Sequence, residues 1–118
     1  MSEQAKVGEE DLITQIAYTI IQQAIRKSAS EILIEPTESG VRQSIRVGDE
    51  TQELLLLPDC VHIPLIERFK VMAGIDVSCK DKLQQGTISI RMNSDPYKLI
   101  VSINQGPPGE AITATFAA

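Results

Sequence analysis

The chain has 118 residues, which is enough for one domain. Its hydrophobic content of 42% and charged content of 23% are typical of a globular protein and exclude extensive disorder. The net charge of −5 and the aromatic content of 3% argue against a nucleic-acid partner, which requires a cationic surface and stacking rings.

Cysteine usage and apolar runs indicate the compartment. Two cysteines are too few for the disulfide framework of a small secreted domain. The chain begins with polar and acidic residues instead of a basic and apolar leader, and no stretch approaches the roughly 18 apolar residues of a membrane span. We therefore expect a cytoplasmic protein that does not insert into a membrane.

The first predicted element is a helix. Residues 1–10 lack a periodic apolar pattern and are predicted to form a flexible tail, followed by a single domain over 11–118. From residue 12 onward, apolar residues recur at spacings of three and four, which predicts an amphipathic helix over about 11–27. These residues are Leu12, Ile13, Ile16, Ala17, Ile20, Ile21, Ala24 and Ile25.

A three-stranded meander is predicted next. Ile32 and Ile34 lie on one face of a short strand that Pro36 is expected to end, because proline lacks a backbone donor. Residues 41–47 alternate between apolar and polar, as a half-buried strand does, and the turn at 48–50 leads into a strand over 51–57.

The second half repeats this order. A helix is predicted over 63–73, with Pro64 in its first turn and Gly74 as its left-handed stop. An irregular connection over 75–86 is followed by strands at 87–92, 97–103 and 111–116. The fold class is therefore α+β, with two helices packed on antiparallel sheet in the order α-βββ-α-βββ, and its two halves share one core.

Motifs for nucleotide chemistry are absent from the sequence. None of the seven glycines is followed by lysine, which excludes the Gly-Lys-Ser/Thr run of a Walker-type ATPase. Residues 106–109 have the Gly-x-x-Gly spacing of an RNA-clamping loop, but their two prolines have no amide donors to offer phosphates. We expect no cofactor.

Cys60, His62 and Cys79 are the candidates for metal binding or for a Cys-His dyad. Zinc sites usually need four ligands in close pairs, and this chain has one histidine and no Cys-x-x-Cys. Cysteines acting as small apolar residues and a capping or surface histidine are the favoured interpretation. We predict neither a catalytic nor a metal-binding residue.

Four cations are the candidate docking residues. Arg42 and Arg46 are separated by an even number of residues and so project from the same side of a strand, and Arg68 and Lys70 would complete a local cationic patch. Solvated charges on a strand face are the ordinary interpretation of such a pattern. The functional interpretation is a docking surface for an acidic partner or a phosphate.

An ordered series of motifs runs along most of the chain. Residues 28–36 (SASEILIEP) are similar to a family signature Ala-Ser-Asp-Ile-His-Ile-Glu-Pro, and 66–76 (IERFKVMAGID) to Ile-Ser-Arg-Ile-Lys-Val-Met-Ala-Gly-Leu-Asp. Residues 42–49 resemble Arg-x-Arg-x-Asp-Gly with the last two residues reversed, and 83–87 (LQQGT) stand where Pro-Gln-Asp-Gly-Arg is expected. The closing Val-Ser and Gly-Glu pairs match at 101–102 and 109–110.

Over about residues 11–116 the chain thus resembles the N-terminal domain of the bacterial type II secretion and type IV pilus assembly ATPases. The resemblance implies a domain that normally precedes a RecA-like motor, which is missing from this sequence. Thr87 and Ile100 replace two arginines that look toward the motor's nucleotide in that family, and neither side chain can form their planar fork of donors. Glu31 and Leu33 replace the aspartate and histidine of the signature.

Two functions follow from this pattern. The favoured one is a non-catalytic interaction or adaptor domain, whose partner is a secretion or pilus component or a second copy of the chain. The alternative is a sensor of a small ligand or nucleotide that does not hydrolyse it. The chain is expected to be either a free-standing protein or a domain excised from a longer one.

Overall fold

The computed structural model describes the backbone of residues 2–78 and 83–117, and the side-chain environments of residues 12–78 and 84–117. Two α-helices, one short 3-10 helix and six strands follow one another in the predicted order α-βββ-α-βββ. The bounds are α1 Ser2–Arg26, β1 Glu31–Thr37, β2 Gly40–Val47, β3 Glu50–Glu53, the 3-10 helix Asp59–Val61, α2 His62–Met72, β4 Leu83–Met92, β5 Asp95–Asn104 and β6 Ala111–Phe116.

The six strands form one antiparallel sheet in the order β3-β2-β1-β6-β5-β4. Each half of the chain supplies a three-stranded meander, and the pairing of β1 with β6 joins them, with Ile34 opposite Ile112. The α+β class and the sharing of one core by two halves are therefore confirmed.

One face of the sheet is buried beneath the helices. Alternate residues of the central strands, such as Ile32, Ile34 and Ile112, belong to the same hydrophobic cluster as Ile21 of α1 and Phe69 of α2. Because successive strand residues point to opposite faces, the residues between them lie on a second face. In the described part of the chain, that second face carries no helix.

The first helix begins earlier than the sequence pattern predicts. Its backbone is helical from Ser2, whereas the apolar periodicity begins at Leu12. Extending an existing helix adds one hydrogen bond per residue without a new nucleation cost, and Glu, Gln, Ala and Lys favour helix. The predicted start of this helix near residue 11 was therefore too late.

Pro36 does not end β1, which continues to Thr37. Val41, the residue opposite Pro36, exchanges both backbone hydrogen bonds with Leu57 on its other side. Pro36 is thus a member of a non-hydrogen-bonded pair, and its nitrogen points toward β6, where the ladder has already ended at Ile34. The sheet therefore needs no hydrogen-bond donor at the backbone nitrogen of residue 36, and a proline is tolerated there.

Other strand boundaries also differ, and β5 begins at Asp95 instead of residue 97. The predicted strand over 51–57 ends at Glu53, although an isolated bridge pairs Leu57 with Val41. The predicted irregular connection is shorter than 75–86, because β4 already begins at Leu83 and pairs with β5 throughout its length. Within the described residues, no helix is both long and apolar enough to cross a bilayer.

Both helices end in a Schellman motif. After α2, Gly74 has a φ of 73°, its N–H donates to the Val71 carbonyl, and the Ile75 N–H donates to the Lys70 carbonyl. This confirms the predicted stop at Gly74. Ser28, with a φ of 56°, takes the equivalent position after α1.

Candidate functional site: the open face of the sheet

We call the second face of the sheet, which neither described α-helix covers, the open face. Across its middle, cross-strand neighbours run from β2 to β4 along two rows. One row is Ser44, Leu33, Thr113, Ser102 and Gln85, and the other is Arg46, Glu31, Thr115, Ile100 and Thr87. Most of these side chains are short and uncharged, so the face is a shallow surface of hydroxyl and aliphatic groups.

Thr87 and Ile100 lie directly opposite each other in the β4–β5 register. Both are exposed, and Ile100 retains 39% of its surface. These are the two positions at which the family resemblance expects arginines. The structure thus brings both replaced positions to one spot on the open face, where neither side chain offers a charged donor to an anion.

Arg42 and Arg46 lie on β2, three strands away from Ile100 on β5, and both are exposed. The Arg42 guanidinium donates to Glu35 Oε1 across the β1–β2 pair at 2.7 Å, while Arg46 is opposite Glu31 in the register. Among the described residues, Arg46 forms no ion pair. Its guanidinium is therefore available to an external carboxylate.

Lys70 cannot belong to an exposed cationic patch. It is 1% exposed, and its ammonium group donates to Glu110 Oε2 at 2.9 Å. Gln105 Nε2 donates to the same oxygen at 3.1 Å. The pair ties α2 to the loop before β6, and both charged residues come from the motifs that carry the family resemblance.

Arg68 also lies away from Arg42 and Arg46, because α2 packs on the covered face of the sheet. It lines a groove between α1 and α2, and its Nε is buried without an acceptor in the described part of the chain. The predicted patch of four cations is therefore divided: two arginines on the open face, one in the groove and a lysine in the interior.

The sequence prediction missed the burial of Lys70, which its position in the helical repeat of α2 indicates. Lys70 follows Ile66 by four residues and precedes Ala73 by three, so it lies on the buried stripe of α2. A lysine at such a position requires a buried partner. That partner is Glu110, which lies 40 residues away in the sequence and is brought to Lys70 by the folding of the sheet.

The His62 side chain does not cap a helix, since α2 begins without a side-chain cap hydrogen bond. Its Nε2 donates to the Glu110 carbonyl oxygen at 2.8 Å, which fixes the start of α2 against the same loop. Cys60 is a free, exposed cysteine, and Cys79 lies outside the described residues. Among the described residues, no three His, Cys, Asp or Glu side chains are grouped as metal ligands.

Asp76 organises the connection from α2 to β4. The Ser78 hydroxyl and backbone N–H both donate to Asp76 Oδ1, at 2.8 and 2.9 Å. These two hydrogen bonds favour the charged form and lower the pKa of the Asp76 carboxyl below its ordinary value of 3.8. The aspartate that ends the 66–76 motif is thus the centre of an Asx turn.

Comparison with known proteins identifies the family. The family model described as "Type II/IV secretion system protein" matches residues 6–108. The chain belongs to this family. The matched part is the N-terminal domain of the family's ATPases and does not include their motor domain.

Relatives in this family are much longer. The chain is 30% identical over 92 residues to the type IV pilus assembly ATPase PilB of Myxococcus xanthus, covering 78% of this chain and 16% of PilB. It is 31% identical over 93 residues to the type II secretion system protein HxcR of Pseudomonas aeruginosa, covering 79% and 20%. The chain thus spans about a fifth or less of the length of these relatives.

A solved structure shows the same fold. The X-ray structure of the Legionella pneumophila ATPase DotB matches 84% of this chain and 27% of that chain, with a TM-score of 0.54 and 15% identity. This likeness shows the fold, which here consists of the helix-covered six-stranded sheet.

Proposed function

We propose that the chain is a non-catalytic protein-interaction domain that binds a component of a type II secretion or type IV pilus machinery in the cytoplasm. The observation that carries this proposal is the pair Thr87 and Ile100, side by side on the open face. The family's arginines are replaced there by neutral side chains, while the fold of the domain is retained. A surface that has lost its anion-binding groups but stays exposed is suited to protein contact.

Charge complementarity indicates the chemistry of the partner. Arg46 lies in the row that contains Ile100 and Thr87, and it forms no ion pair among the described residues. An acidic side chain of a partner would accept its hydrogen bonds, while the neutral side chains of Thr115, Ile100 and Thr87 pack against small or aliphatic groups. Exposed charges of this kind mainly govern association rate and salt dependence.

The test is affinity capture from a bacterial cell that contains the native machinery. The tagged chain is expected to retain a secretion or pilus component, and Arg46→Glu and Ile100→Glu should each reduce the captured amount severalfold. Arg26→Glu, which makes the same charge change as Arg46→Glu but at the end of α1, serves as the matched control. Equal capture by all variants would contradict the assignment of the open face.

Two further measurements examine the non-catalytic part of the proposal. The purified chain should release no phosphate from ATP, and titration with ATP, ADP or a cyclic dinucleotide should produce no heat of binding. Heat at micromolar ligand would instead support the sensor function.

A further inference from the structure

A groove of about 510 Å³ lies between α1 and α2, on the side of the molecule away from the open face. Leu12 and Ile13 line it from α1, Pro64, Arg68 and Val71 line it from α2, and Val77 lies at its end. Pro64, Arg68 and Val71 recur at spacings of four and three, so they form one stripe along α2. The walls of the groove are therefore two helices with apolar side chains facing each other.

Much of this apolar surface is exposed to solvent. Leu12 is 58% exposed and Val71 is 54% exposed, although both are large aliphatic side chains. The surface continues past Glu67 and Val77 to Ile63, which is 66% exposed and lines a neighbouring pocket together with those two residues. Contiguous apolar surface of this kind marks interaction sites on soluble proteins.

Arg68 is a cation in the lining of the groove, which also contains the acidic Glu67. Its Nε is buried, and within the described residues it has no hydrogen-bond acceptor. Leaving a buried donor unpaired is costly, and a carboxylate is the acceptor that matches a guanidinium best. The groove thus presents an apolar wall with one unsatisfied cationic donor.

A second copy of the chain is a poor occupant. Two-fold symmetry would place the same patch against itself, and a concave groove does not match the shape of a second groove. A third helix fits the space between two helices, because side-chain ridges pack into such grooves. An acidic residue on that helix would supply the missing acceptor.

We infer that the groove binds an amphipathic helix of a protein partner, whose apolar face covers Leu12, Pro64 and Val71 and whose carboxylate accepts from Arg68. This inference rests on the proposed function as an interaction domain and adds a second surface with a defined partner chemistry. The open face and the groove are on opposite sides, so one molecule can engage both surfaces.

The experiment selects helical peptides of 18 residues from a display library against the immobilised full chain. Enriched peptides are expected to be amphipathic with one recurrent Asp or Glu, and their binding should shift the amide resonances of Leu12, Arg68 and Val71. Changing the acidic residue of an enriched peptide to Asn or Gln should weaken its Kd at least about tenfold, as loss of a charge-assisted hydrogen bond does.

Variants of the chain complete the design. Arg68→Glu and Val71→Asp should each weaken peptide binding at least about tenfold. Arg68→Lys keeps the charge but removes the Nε donor, and it should have a smaller effect in the same direction. Arg46→Glu on the open face should leave peptide binding unchanged, and circular dichroism checks that each variant is folded.

The inference is overturned if no peptide is enriched, if enriched peptides lack an acidic residue, or if the shifted resonances lie outside the groove. A dimer in analytical ultracentrifugation that Val71→Asp abolishes would also overturn it, because a second copy would then occupy the groove. Loss of capture by Arg46→Glu together with failed peptide selection would reject the groove and leave the proposed function standing.

Discussion

Lys70 belongs to a motif shared with the family, and its side chain stabilises the fold. Its ammonium group is buried, paired with Glu110, and connected through that carboxylate to Gln105. Removing one partner of a buried ion pair leaves an uncompensated charge, which costs far more than removing both. An exposed pair such as Arg42–Glu35 contributes little by comparison.

Glu110→Ala is therefore expected to lower the free energy of unfolding by about 3 kcal/mol, measured by urea denaturation. The double variant Lys70→Met with Glu110→Ala should recover part of this loss, because no charge remains buried. Arg42→Ala is the control on an exposed pair and should cost about 1 kcal/mol or less. A Glu110→Ala cost no larger than that of the control would contradict the structural role of the pair.

Asp76 provides a test based on pH. Since its pKa is lowered in the folded chain, the carboxylate contributes stability at pH values above its unfolded pKa, and this contribution is lost as the pH falls through the folded value. Ser78→Ala removes the hydroxyl that donates to Asp76 Oδ1. An NMR titration of the Asp76 carboxyl should show its pKa moving up toward 3.8 in this variant, with Ser94→Ala as an unrelated control.

At the level of elements, the end of α2 closes part of the edge of the sheet. The Thr87 N–H on edge strand β4 donates to the Ala73 carbonyl just beyond α2, at 3.2 Å. Gly86 permits this approach, because a Cβ at that position would fall on the Ala73 carbonyl oxygen and close to the Ile75 side chain. The glycine shared with the Pro-Gln-Asp-Gly-Arg motif thus has a packing role.

Gly86→Ala is expected to destabilise the chain by about 2 kcal/mol or more, since backbone on both sides must move. Gly106→Ala is a suitable comparison, because an added Cβ there meets no atom within 4 Å. Thermal unfolding of the two variants should separate them clearly. Equal melting temperatures would mean that β4 and the end of α2 can move apart without cost.

For the whole molecule, the two halves depend on each other. The meander of β1, β2 and β3 meets that of β4, β5 and β6 through the β1–β6 pairing, and both helices cover one shared cluster. A three-stranded sheet with one helix has little apolar surface to bury by itself.

Separate chains comprising residues 1–57 and 58–118 are consequently expected to be unfolded alone and to assemble when mixed. Circular dichroism and amide NMR dispersion follow the assembly. A C-terminal fragment carrying Ile112→Asp is the control and should fail to assemble, because Ile112 lies opposite Ile34 at the joining strands. Cooperative unfolding of the fragment 1–57 alone would show that the halves are independent.

Local patterns in the sequence were sufficient for the order of elements, the α+β class and the left-handed stop at Gly74. Periodicity and turn chemistry act between residues a few positions apart, and those interactions can be read along the chain. The exposed turn that connects β4 and β5 consists of Asn93 and Ser94, both with positive φ, and is likewise local.

Other features depend on residues that are distant in the chain. The tolerance of Pro36 follows from where the β6 ladder ends, and the burial of Lys70 requires Glu110. Helix packing divides the four cations between the two faces and the interior. Strand pairing places Thr87 beside Ile100. Such pairings form between segments that are far apart in the sequence, so no local pattern specifies them. They are specified by the packing of the shared core.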